Sequence, residues 1–271
     1  MADQAAAGAR STDRAPAGAP LLRLAKVGKN FGPVQALADI DLEVQPGEVM
    51  ALVGDNGAGK STLIKTVAGI WAPDAGHIFW EGREVHIRNP RDAAALGIAT
   101  MYQDLALADN LDIVENMFLG RELRRFGLLD EVSMELAARK TLSELSVTTV
   151  RSIRQPVGSL SGGQRQAVAV ARAVLEDAKL VIMDEPTAAL GVSQTAMVLN
   201  LVRQLRDNGV AVLLISHNLN DVFAVADRLT ALFLGRVAGV AQVSDIDQQQ
   251  AVQLITTGSR DRSSATARRK D

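Results

Sequence analysis

Four stretches of the chain are apolar without interruption and end abruptly in polar residues: VMALV before Gly54, GIATMY before Gln103, LVIM before Asp184, and VAVLLI before Ser216 and His217. A strand with one wet face alternates, whereas continuous runs of this length fit strands covered on both faces, as in a parallel sheet flanked by helices. Apolar residues at helical spacing follow the first run, at Leu63, Val67 and Ile70, and recur at Ala167, Val170, Ala171 and Val174. The predicted fold class is therefore α/β with a mainly parallel sheet. Residues 21–47 and 77–88 depart from this pattern. They contain short alternating pieces, DIDLEV and HIFWEGREVHI, the latter turned at Glu81 and Gly82, and predict a small antiparallel β layer near the N-terminus. Between Gln103 and Leu160 the pattern becomes mostly helical, through NLDIVENMFLGREL and SMELAARKTLSEL, interrupted by Gly127 and closed by Pro156. This predicts a helical insert over 104–159.

With 271 residues, 47% of them hydrophobic, the chain can build one main core with a small subdomain attached. A formal charge of −2 and a pI near 6.0, with no basic cluster in the interior, give no pull toward nucleic acid, and no nucleic-acid partner is expected. The absence of cysteine excludes disulfides, thiol catalysis and thiolate metal sites and is compatible with a reducing compartment, so the cytoplasm is the expected location. No apolar run approaches the roughly 20 residues that cross a bilayer. If a membrane is involved, another chain spans it. Residues 1–20 are rich in Ala, Gly and Pro without the apolar core of a signal peptide and are expected to be a disordered lead. The polar stretch 258–271, with Arg268, Arg269 and Lys270, is expected to be a disordered basic tail. The main domain then runs from 21 to 257.

The glycine-rich segment GDNGAGKST, residues 54–62, meets the pattern G-x-x-x-x-G-K-[ST] at Gly54, Gly59, Lys60 and Ser61, after a strand and before a helix. Glycines let successive N–H groups curl around phosphate oxygens, and the following helix N-terminus adds partial positive charge. Lys60 is expected to reach β and γ phosphates and Ser61 to hold Mg²⁺. Asp184 and Glu185 are adjacent carboxylates predicted to leave their strand in opposite directions and so to hold different jobs. Asp184 suits Mg²⁺ ligation and Glu185 suits polarising an attacking water, the alternative being solvated acids that open a turn at Pro186. In LSGGQRQ, Ser161 can cap a helix whose first turn includes Gly162 and Gly163, either as a second anion site or as an ordinary capped helix.

Taken in order, these motifs resemble the ATP-binding subunits of ABC transporters. GDNGAGKS looks like Walker A, Gln103 like the Q-loop residue, LSGGQ like the family signature, LVIMDE like Walker B and His217 like the switch histidine. The resemblance covers residues 21 to about 240 and implies a P-loop NTPase core. It implies ATP bound by Gly54, Asp55, Asn56, Gly57, Ala58, Gly59, Lys60, Ser61 and Thr62 of one domain and by Ser161, Gly162, Gly163 and Gln164 of a second, head-to-tail domain. That second domain would be another copy or a paralogue. The resemblance also implies Mg²⁺ at Ser61, Gln103 and Asp184, Glu185 as general base, His217 on the γ-phosphate, and Gln103 linking the site to a membrane partner. Phe31 matches the aromatic that stacks on adenine, its other reading being a hydrophobic contact in the β layer. Gly191 in TAALG stands where many members carry an acidic residue.

More narrowly, DNGAGKST, MYQDLAL, DEPTAALGV and the stretch from Leu129 to LSGGQRQ resemble ATPases of monosaccharide importers of the ribose, xylose and fructose type. That implies an integral membrane permease, an extracytoplasmic sugar-binding protein as indirect partner, and a peripheral place on the cytoplasmic face of the inner membrane. The alternatives are an importer of another solute, or an ABC ATPase that works on a macromolecule. The short span from Gln103 to Ser161 is unlike the long coiled coil of DNA-repair relatives, and LSGGQ is unlike a P-loop kinase or GTPase.

Overall fold

The structure is a computed structural model that describes residues 18–258 apart from Gln103, Ser146, Thr148, Thr149, Arg151 and Glu176. The expected tail from residue 259, most of the expected lead, and Gln103 lie outside the described residues. The first half contains β1 (Leu22–Phe31), β2 (Val34–Val44), β3 (Val49–Gly54), α1 (Lys60–Val67), β4 (Ala75–Trp80), β5 (Arg83–Val85), α2 (Pro90–Ala95), β6 (Ile98–Met101), α3 (Ile113–Phe118), β7 (Arg124–Arg125), β8 (Leu128–Leu129) and α4 (Glu131–Glu144). The second contains α5 (Gly162–Leu175), β9 (Leu180–Asp184), α6 (Val192–Asp207), β10 (Ala211–Ile215), α7 (Leu219–Val225), β11 (Arg228–Phe233), β12 (Arg236–Gln242) and α8 (Gln248–Thr257).

The central sheet has the order β12-β11-β3-β10-β9-β6, parallel throughout except for β12. Four adjacent members, β3, β10, β9 and the edge strand β6, are the four continuous apolar runs. Along β9 the residues alternate between two cores: Val181 and Met183 face the cluster shared with α3 to α6, while Leu180 and Ile182 face the cluster shared with α1 and the β layer. Burial on both faces is why no polar alternation appears in the sequence. The second sheet, β2-β1-β4-β5, is antiparallel, and β4 turns into β5 at Glu81 and Gly82, both with positive φ.

One sequence expectation needs correction, and two further elements fill in what the pattern left open. The helix after the glycine loop ends at Val67, with Gly69 at φ +75°, so Ile70 lies beyond it and is exposed. The interruption expected at Gly127 within 104–159 is a hairpin, β7 and β8, which turns there with Phe126 at φ 52° and Gly127 at φ 83°. The strands β11 and β12, at the opposite edge of the sheet from β6, correspond to no predicted element.

Candidate functional site

Strand direction puts the carboxyl ends of β3, β10, β9 and β6 on one edge of the sheet, where ligands of open α/β folds bind. The loop after β3 closes on itself. Lys60 Nζ donates to the carbonyl oxygens of Gly54, at 2.7 Å, and Asp55, at 3.0 Å, and Ala58 N–H donates to Asp55 O at 3.1 Å. Gly59 precedes α1 with φ 105°, and a Cβ there would stand 3.0 Å from both Ala36 O and Leu37 Cδ2. A Cβ on Gly54 would meet Leu232 O at 2.6 Å. Both glycines are therefore required by close approach as well as by backbone angle. The first-turn N–H groups of α1 have no intrahelical acceptor and face outward from the helix start. Together they border a cavity of about 440 Å³ lined by residues 56–62, by Val34, Gln35 and Ala36, and by Leu234 and Gly235.

Asp184 ends β9 and is half-buried. Burial, and after it the charge of Glu185, push its carboxyl pKa above the ordinary aspartate value, while the Lys60 and Lys65 ammoniums act in the opposite direction. Glu185 lies past the strand in the left-handed region, at φ 52°, with its N–H donating to Ile215 O at 3.0 Å. The two carboxylates are thus parted by a left-handed turn, whereas strand alternation was the expected cause. Glu185 Oε2 lies 2.7 Å from His217 Nδ1 and accepts the His217 N–H at 3.4 Å, so the ends of β9 and β10 are cross-linked by the two residues read as base and switch. The His217 side chain is 72% exposed, which leaves Nε2 accessible to a second partner.

Ser161 and Gln164 form a reciprocal cap at the start of α5: Gln164 N–H donates to Ser161 Oγ at 3.4 Å, and Ser161 N–H donates to Gln164 Oε1 at 2.9 Å. Gly162 and Gly163 let this end pack against α6 and the loop before it, since a Cβ on Gly162 would meet Leu190 Cδ2 at 2.6 Å and one on Gly163 would meet Gln194 Cβ at 3.3 Å. None of residues 161–164 lines the cavity at the glycine loop. The structure therefore gathers Lys60, Asp184, Glu185 and His217 along one sheet edge, with Lys60 alone of the four lining the glycine-loop cavity and the capped helix end outside it.

Phe31 ends β1 with 40% of its surface exposed, and its ring meets Trp71 edge-on, with centroids 4.7 Å apart. Gly191 precedes α6 as an uncapped N-terminal residue, and nothing lies within 4 Å of a Cβ placed there. Residues not singled out from the sequence brace the site. Gln166 Nε2, buried on α5, donates to Pro186 O at 3.0 Å, and Thr187 Oγ1 donates to the buried Asp221 Oδ2 at 2.6 Å. Tyr102, beside the undescribed Gln103, has its phenol pKa raised by burial, with the negative charge of Asp184 adding to the effect.

The family model described as ABC transporter matches residues 37–188. The chain belongs to the ABC transporter family. It is 47% identical over 244 residues to the fructose import ATP-binding protein FrcA of Rhizobium meliloti, covering 88% of this chain and 94% of that protein. It is 44% identical to the xylose/arabinose import ATP-binding protein XylG of Sulfolobus acidocaldarius, covering 88% of this chain and 94% of that protein. The ribose import ATP-binding protein RbsA 2 of Burkholderia cenocepacia is 41% identical over 87% of this chain, which spans only 46% of that longer protein. Among solved structures, the ADP conformation of MJ1267, an ATP-binding cassette of an ABC transporter, superposes with a TM-score of 0.75 at 26% identity, covering 88% of this chain and 95% of that one. No described helix of this ABC family member is long and apolar enough to cross a membrane.

Proposed function

We propose that the chain is the ATP-hydrolysing subunit of a monosaccharide importer, and that its catalytic site is completed by a second copy. The observation that carries this reading is that Lys60 and Ser61 line the glycine-loop cavity while the capped signature end of α5 contributes nothing to its lining. A second copy placed head-to-tail would bring its Ser161, Gly163 and Gln164 to the first copy's triphosphate. The sugar-import names of FrcA and XylG support the cargo class. A membrane permease then carries the sugar, with an extracytoplasmic sugar-binding protein as its supplier.

In this reading the N–H groups at the start of α1 and the ammonium of Lys60 bind the β and γ phosphates, and Phe31 stacks on adenine. The donor set suits Mg²⁺. Ser61 offers a hydroxyl on the first turn of α1, and Asp184 offers a half-buried carboxylate whose negative charge burial and Glu185 make unfavourable in the absence of a cation. Among the described residues there is no cluster of three acidic or histidine ligands, which fits an ion held largely by substrate phosphates. When bound, Mg²⁺ neutralises charge on the transferred phosphoryl group. Glu185 accepts the proton of the attacking water, and His217, holding Glu185 through Nδ1, fixes its orientation and presents Nε2 to the γ-phosphate. Gln103 relays the state of the site to the permease.

The test is sugar uptake into vesicles that hold the reconstituted permease and this chain. ATP-dependent uptake of a monosaccharide, lost with Glu185→Gln, is expected. ATP hydrolysis that no sugar or permease affects would point to a macromolecular target instead.

A further inference from the structure

The segment that joins α1 to β4 is tied at both ends to parts of the nucleotide site. At one end, Ile70 N–H and Trp71 N–H both donate to Lys65 O of α1, at 2.8 and 3.2 Å. At the other, Asp74 N–H donates to Gly28 O of β1 at 2.9 Å, and its carboxylate accepts from Asn30 N–H at 2.6 Å and from Lys29 Nζ at 2.9 Å. Lys29 Nζ also donates to Ala72 O at 2.8 Å. The segment 70–74 is thus a strap between the glycine-loop helix and the end of the strand that carries Phe31.

Trp71 sits in the middle of this strap. Its ring meets Phe31 in a T-shaped contact, with centroids 4.7 Å apart and planes at 73°. The Lys65 ammonium lies 4.9 Å from the Trp71 ring centroid, and the Lys29 ammonium lies 5.7 Å from that of Phe31. Trp80, the other tryptophan, is 4% exposed and belongs to the buried core, whereas Trp71 is in none of the three buried hydrophobic clusters. The ring contact that the structure gives Trp71 is with Phe31. An edge-to-face partner fixes the orientation of a ring while leaving area free for stacking, and 40% of the Phe31 surface is free.

We propose that Trp71 is a positioning residue for nucleotide binding. It holds the Phe31 ring in the orientation that stacks on the base of ATP, at the separation from the glycine loop that the strap 70–74 sets. The inference rests on the reading of Phe31 as the base platform, and the test separates the two. ATP turnover is measured for the full chain and for Trp71→Ala, Trp71→Phe, Phe31→Ala and the double variant, with inorganic tripolyphosphate, which has no base, as competitive inhibitor. Trp71→Ala is expected to raise KM for ATP about two- to tenfold with kcat within about twofold. Inhibition by tripolyphosphate should stay unchanged, and Trp71→Phe should recover most of the lost affinity. Because Trp71 acts through Phe31, the double variant should bind ATP no worse than Phe31→Ala alone. A raised KM in Phe31→Ala but not in Trp71→Ala overturns the positioning role, as do additive losses in the double variant or a parallel weakening of tripolyphosphate inhibition. An unchanged KM in Phe31→Ala overturns the base-platform reading itself.

Discussion

Asp184 and Glu185 are neighbours in sequence with different surroundings, and each yields a distinct expectation. Glu185 touches His217 at 2.7 Å at the sheet edge, as a general base held by a partner should. Replacing it by Gln keeps size and shape, so ATP binding should persist while turnover falls by roughly 10²- to 10⁴-fold in a phosphate-release assay. Turnover within a few-fold of the unaltered chain would remove Glu185 as base. For Asp184, burial and the charge of Glu185 raise the carboxyl pKa in the folded state. A raised pKa means that the fold favours the protonated acid. Its contribution to stability is full below the ordinary aspartate pKa and is lost as pH rises through the folded value. At neutral pH the ionised group therefore opposes folding of the ligand-free chain. Asp184→Asn should raise the melting temperature at pH 7, by roughly 2 to 4 °C for each kcal/mol recovered, while abolishing hydrolysis. A lower melting temperature at pH 7 would contradict this sign. The identities of both acids were legible because they end a continuous apolar run. The Glu185–His217 contact was not, since 32 residues separate the pair and only the parallel pairing of β9 with β10 brings them together.

At the scale of elements, legibility followed the continuity of the apolar pattern. β3, β10, β9 and β6 read clearly because each is a continuous apolar run, and the turn at Glu81 and Gly82 read clearly because short alternating pieces flank it. β11 and β12 were missed. RLTALF interrupts its apolar residues with Thr230, which is buried beside Met50 Sδ at 3.5 Å, and β12 is half-exposed with Gly239 in its middle. β7 and β8 have two residues each, too few for any period to register. The loop after β9 is also held by contacts that no local pattern announces: Gln166 from α5 and Asp221 from α7 converge on Pro186 and Thr187. Thr187→Val keeps the shape but leaves the buried Asp221 carboxylate without this donor, and should cost about 1–3 kcal/mol in urea unfolding. No change in the unfolding midpoint would show that the carboxylate finds another partner.

At the scale of the whole molecule, the central claim is that the chain holds a complete set of motifs but only half of each catalytic site. The glycine-loop cavity is lined by residues 34–36, 56–62, 234 and 235 and by none of residues 161–164. In a symmetric head-to-tail pair, each copy supplies a glycine loop to one site and a signature to the other. Lys60→Ala and Ser161→Arg should therefore each abolish hydrolysis, and Ser161→Arg should do so while leaving ATP binding to the isolated chain intact. The most direct measurement is the ATPase rate of an equal mixture of these two inactive variants. Half of the dimers formed carry one intact site, joining the glycine loop of the Ser161→Arg copy to the signature of the Lys60→Ala copy, so activity should return to at most about a quarter of the unaltered rate. A mixture as inactive as its parents, or a Ser161→Arg chain that hydrolyses ATP at full rate, would contradict the shared site.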